Sequence, residues 1–78
     1  GQQGVIEVIL NRMEKQKNVA NIQEQGCLEL GNLALNYDDN VKIGKLNGNE
    51  IILKGMRMHE DIANVQEYGC NALRNLSL

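Results

Sequence analysis

The chain is expected to be all-α, built from a helical unit that occurs about twice. Three observations lead there. The 78 residues include no proline, where ordinary usage of about 5 % predicts roughly four, and its absence suits helix interiors that need every backbone N–H. Ala20-Asn21-Ile22-Gln23-Glu24-Gln25-Gly26-Cys27 recurs as Ala63-Asn64-Val65-Gln66-Glu67-Tyr68-Gly69-Cys70, 43 residues later. Pairing residues 5–35 with 48–78 at that offset gives 14 identities in 31 positions, among them Ile9 with Ile52, Met13 with Met56 and Leu30 with Leu73. A period in the low forties occurs in α-solenoids and in four-stranded propeller blades. The apolar spacing inside one period is helical, with no period-2 alternation, and decides between them.

The elements follow in order. Val5, Ile6, Ile9, Leu10 and Met13 form one apolar stripe of a first helix. It closes in Lys15-Gln16-Lys17-Asn18, whose cations suit the negative end of a helix dipole. Asn18 or Asn21 then caps a longer helix, as Asp61 does in the second copy. That helix carries Ile22, Gly26, Cys27, Leu30, Leu33 and Ala34 on one side, repeated as Val65, Gly69, Cys70, Leu73, Leu76 and Ser77. Glycine in mid-helix costs about 1 kcal/mol, so Gly26 and Gly69 point to close approach of a neighbouring helix. Between the copies, residues 36–48 hold a short unit with Asp38 or Asp39 as its cap, Val41, Ile43 and Leu46 as apolar contacts, and Gly48 as a turn.

Size and charge bound the function. Folding a chain of 8.7 kDa removes about 7,900 Å² from water, worth about 118 kcal/mol against an ordering cost of about 117 kcal/mol. With no Trp, no Phe and two Tyr, burial falls to Val, Ile and Leu, and stabilisation by neighbours or by a second copy is expected. The net charge of -2 comes from interspersed residues, so no basic stripe offers itself to nucleic acid. No apolar run approaches the roughly 18 residues of a membrane span, and the first residues lack the positive and apolar regions of a signal peptide. The expected chain is soluble and cytoplasmic, or nuclear. Gly1 in place of Met is the start expected of an excised piece, with residues 1–4 preceding the fold.

Three helices per 43-residue unit, a short first helix, and the run Gln-Glu-x-Gly-Cys-x-x-Leu-x-Asn-Leu in the third resemble the armadillo repeat. The resemblance covers residues 5–78, with 5–35 as helices 2 and 3 of a first repeat and 36–78 as helices 1, 2 and 3 of a second. It implies a right-handed α-solenoid whose third helices line a concave groove that takes an extended peptide. Asn32 and Asn75 match the family's third-helix Asn, whereas Leu28 and Asn71 stand where the family has a groove Trp. The nearest structural alternative is the HEAT repeat, with two helices per unit.

The groove has a physical meaning of its own. Residues three or four apart share a helix face, so Asn21, Gln25, Leu28 and Asn32 form one ladder, and Asn64, Tyr68, Asn71 and Asn75 its copy. A carboxamide both donates and accepts, so such Asn residues can pair with an extended backbone that has no sheet to satisfy it. The bland reading is that Asn32 and Asn75 hold the bend between third helices. Cys27 and Cys70, the only thiols, read as buried, reduced packing residues, since two cysteines and one histidine do not supply four metal ligands. His59, in the connection Met58-His59-Glu60-Asp61, reads as solvated and too distant to activate either thiol. No catalytic residue, metal or cofactor is expected. The leading expectation is a non-enzymatic module that binds a peptide or protein along its third helices. Its rival is a self-associating building block that forms a homo-oligomer through uncapped ends, by head-to-tail stacking or by helix exchange.

Overall fold

The structure, a computed structural model, describes residues 4–77. Five helices follow one another: α1 (Val5–Lys15), α2 (Ala20–Leu33), α3 (Tyr37–Lys45), α4 (Gly48–Met58) and α5 (Ala63–Leu76). No strand occurs among the described residues. The all-α expectation holds, and each helix starts and stops within a few residues of where the periodicity places it. α1 packs on α2 and α4 on α5, while α2 lies along α5 and α1 against α4; α3 touches α1, α2 and α4. The least extent across the Cα atoms, 16 Å, suits two layers of helices about 8–10 Å apart.

Most of the apolar stripes face inward as their spacing requires; Val5, expected in the stripe of α1, is instead 64 % exposed at the first position of the helix. Ile6, Ile9, Leu10 and Met13 of α1 are buried with Cys27 and Leu30 of α2, Ile43 of α3, Ile51 and Ile52 of α4, and Ala72 of α5. Of the three apolar contacts expected from the short unit, Ile43 is buried, Val41 is half-buried and Leu46 is exposed. A salt bridge between Lys42 Nζ and Glu7 Oε2, 2.8 Å, ties the outside of α3 to α1. The hydrogen bond from Lys42 holds the Glu7 carboxyl below its ordinary range.

Several helix ends differ from expectation. α2 and α5 begin after Val19 and Ile62, both in extended conformation and neither with a side-chain cap. Asn18 and Asp61 lie one residue too early to cap, and Asn21 lies inside the first turn of α2. These connections are secured from the other side, by glutamines that reach back to the preceding helix. α3 is capped by Asn36, whose Oδ1 accepts from Asp39 N at 3.1 Å, so Asp38 and Asp39 are first-turn residues that favour the positive end of the dipole. The left-handed residue of the following turn is Asn47, φ 64°, a conformation that Asn tolerates better than most residues. Gly48 is not that turn but the buried first residue of α4. A Cβ there would stand 2.8 Å from Ile43 O, which no side chain can occupy.

Candidate docking surfaces

Each copy of the repeat closes one helix pair with the same clasp. Gln23 Nε2 donates to Met13 O at 2.9 Å and to Gln16 O at 3.2 Å. In the second copy Gln66 Nε2 donates to Met56 O and to His59 O, each at 2.9 Å. Met13 O and Met56 O are last-turn carbonyls of the kind left over at a helix C-terminus, while Gln16 O and His59 O, which also accept from Val19 N and Ile62 N at 3.0 and 3.1 Å, receive a second donor from the same carboxamide. Above the clasp, Gly26 lets α1 approach: a Cβ there would stand 2.6 Å from Met13 Cγ, and one on Gly69 would stand 2.6 Å from Met56 Cγ. The recurrent glycines therefore mark the close approach their cost implies.

The copies differ in what covers them. Cys27 is fully buried while Cys70 is exposed, Leu30 is fully buried while Leu73 is half-buried, and Gln23 is buried while Gln66 is half-buried. At other positions the order reverses. Val8 is 41 % exposed and Ile51 7 %; Arg12, Glu29 and Asn32 are exposed, whereas Gly55 and Ala72 are buried and Asn75 half-buried. The two sets are opposite sides of one unit. One side of the first copy, with Cys27, Leu30 and Gly31, lies under the second copy; the matching side of the second copy, with Cys70, Leu73 and Arg74, has no cover among the described residues. We call the latter the trailing face. The leading face lies on α1 and α2 and exposes Val5, Val8, Arg12, Glu29 and Asn32 beside half-buried Leu33.

The residues of the two expected ladders fall at several places on the surface. Leu28, Tyr68 and Asn71 do come together, around a furrow between α2 and α5 that Glu67, Cys70 and Arg74 complete. Gln25 and Asn32 instead line hollows against α1, together with Val8, Ile9, Arg12 and Glu29. Asn21 and Asn64 are exposed. Asn71 Oδ1 accepts from Arg74 Nη2 at 2.8 Å. Asn75 is engaged in packing: its Nδ2 donates to Gly31 O at 2.9 Å, and its backbone carbonyl accepts from Asn40 Nδ2 at 3.0 Å. Asn40 Nδ2 also donates to Ala34 O at 3.0 Å, so Asn75 and Asn40 together join α2, α3 and α5. Asn40 and the clasp glutamines are the residues that sequence reasoning passed over. The clasp was present in the repeat, since Gln23 and Gln66 are identities at the 43-residue offset.

The thiols are not equivalent, contrary to the expectation that both are buried. Burial pushes the Cys27 thiol up to about 11, which leaves little thiolate near neutral pH. Cys70, on the trailing face, is open to reagents. The expected result with a thiol-reactive dye is one fast-labelling cysteine in the native protein and a second only on unfolding; equal rates would contradict the burial difference. His59, expected to be solvated, is half-buried, and its Nε2 lies 2.7 Å from Lys17 O. A carbonyl can only accept, so Nε2 carries the proton and joins the turn after α4 to the turn after α1. Among the described residues no group of three or more His, Cys, Asp or Glu is placed to hold a metal ion, and no helix is long and apolar enough to cross a membrane. Comparison with protein-family models, with curated proteins and with solved structures finds no match.

Proposed function

We propose that the chain is a non-enzymatic protein-interaction module of the armadillo kind, about one and three-quarter units of a right-handed α-solenoid, which works by docking protein on its leading and trailing faces. The observation that carries this reading is the exposure of Cys70 and Leu73 on the trailing face where Cys27 and Leu30 are fully buried. In a solenoid each unit buries its apolar side only against its neighbours, so a face that is core in one copy and bare in the next is a docking surface. A second reading, an extended peptide laid along α2 and α5, is favoured by the meeting of Leu28, Tyr68 and Asn71 around one furrow. It stands second because Asn75 is engaged with Gly31 and Asn40, and because Asn32 lines the leading face.

A tandem chain tests the first reading. Leu78 is joined, through a second copy of residues 36–47, to a second Val5–Leu78, so that a leading face is presented to a trailing face in cis. The expected result is one fast-labelling thiol instead of two, because the inner Cys70 becomes covered as Cys27 is, together with a higher urea midpoint. Two fast thiols and an unchanged midpoint would overturn it.

A further inference from the structure

We infer that the trailing face of this chain docks the leading face of a second copy of the same chain, head to tail, in the register that α4 and α5 adopt on α1 and α2. This rests on the stacking reading above and adds the identity of the neighbour. The 43-residue offset converts each contact of α4 and α5 on α1 and α2 into the contact that two copies would make. Inside, Gly31 meets Ala72: a Cβ on Gly31 would stand 3.4 Å from Ala72 Cα and 3.3 Å from Asn71 Nδ2. At the ends the corresponding residues are Arg74, on the trailing face, and Glu29, on the leading face. A contact between two small residues becomes a contact between opposite charges. Both side chains are exposed, and the inner distances admit a Cβ after a shift of a few tenths of an ångström. The arginine can then run outward beside Asn71, which already accepts from its Nη2, and offer its remaining N–H groups to the carboxylate.

The small cavity between the two pairs transforms differently. Glu14, Lys17 and Gly55 all line it, and their counterparts at the ends are Arg57 and Glu60 on the trailing face and Arg12 on the leading face, all exposed, so Arg12 would have one charge of each sign near it. The polar bond across the inner interface transforms as well: Asn75 Nδ2 donates to Gly31 O, and Asn32, the counterpart of Asn75, would donate to the Arg74 carbonyl of the copy before it. Beside these polar points, Val8, 41 % exposed, would be withdrawn from water with Leu73 and Cys70. The complementary Arg74–Glu29 pair favours a second copy over an unrelated helical neighbour, since like charges at that point would oppose the stack. The contact uses different patches on the two partners, so it continues into rings or short open arrays rather than stopping at a symmetric dimer.

Sedimentation of the full chain from micromolar to millimolar concentration tests this, with E29R, R74E, the double variant E29R/R74E and an equimolar mixture of the two single variants. Reversible association is expected for the natural chain. Each single variant should associate about tenfold more weakly, because an attraction becomes a repulsion. The double variant and the mixture should regain association, since each again brings opposite charges together. Circular dichroism of the exposed single variants distinguishes lost docking from lost folding. A natural chain that stays monomeric at millimolar concentration overturns the second copy as occupant. If the tandem chain nevertheless covers its inner Cys70, the stacking reading survives with a neighbour of different sequence; if the tandem chain also fails, both readings fall. Association that none of the charge variants weakens overturns the register.

Discussion

Replacing Leu30 by alanine is expected to cost about 3 to 4 kcal/mol, whereas the same change at Leu73 costs about 1 to 2 kcal/mol. The two leucines are repeat counterparts with the same chemistry, but Leu30 is fully buried in the core and Leu73 is half-buried on the trailing face. Truncating a side chain in a sealed site removes its transfer free energy and leaves a cavity; at an open face water fills the space and only part of the transfer term is lost. For a chain of 78 residues, total stability is on the order of 4 to 12 kcal/mol, so L30A leaves a protein close to half unfolded at the lower end of that range. Urea denaturation followed by circular dichroism reads both variants, and equal losses would show that the two faces are equally covered in solution.

Gln23→Glu is the second large effect expected, at about 3 kcal/mol near neutral pH, with Gln66→Glu costing about 1 kcal/mol. Gln23 is 1 % exposed and spends its amide hydrogens on two carbonyls, Met13 O and Gln16 O. An ionised carboxylate has no hydrogen to give. It would face two carbonyl oxygens at a buried position, so the group should take up a proton and its carboxyl pKa should rise. The direction of the pH dependence follows from that rise. A carboxyl that binds its proton more tightly when folded adds least penalty in acid, and the variant loses stability as pH increases through the raised pKa. Denaturation of Q23E at pH 4 and at pH 8 measures it; a variant equally stable at both, or no worse than Q66E, would contradict the role assigned to the clasp.

Much of the helical layout was legible in the residues, and the reasons separate the hits from the misses. Periodicity located α1, α2, α4 and α5 because burial of a stripe follows from the stripe's own spacing, whereas α3 was placed by the gap between the copies, and of its three expected contacts only Ile43 is buried. Gly26 and Gly69 were legible because mid-helix glycine is unfavourable and its recurrence needs a cause. The ends were less legible. Asn18, Asn21 and Asp61 have side chains suited to capping, but the backbone turns at Val19 and Ile62, and the polar group that secures each turn comes from a glutamine several residues further on. Cys27 and Cys70 sit in near-identical local sequence, so no pattern within either copy could tell which one has a neighbour. The same holds for Asn32 and Asn75, whose difference lies in which of them has a carbonyl of another helix beside it.

The glutamine clasp spans only ten residues, from Gln23 to Met13 and from Gln66 to Met56, and so falls wholly inside one 43-residue segment. Copying that segment copies its lock along with its helices, and a lengthened gene would need no new polar invention to keep each hairpin shut. The flank is what would have to change to suit each new neighbour, and it is where the copies differ: Gly31 and Ala72 meet inside the chain, while Arg74 and Glu29 stand at the same repeat positions.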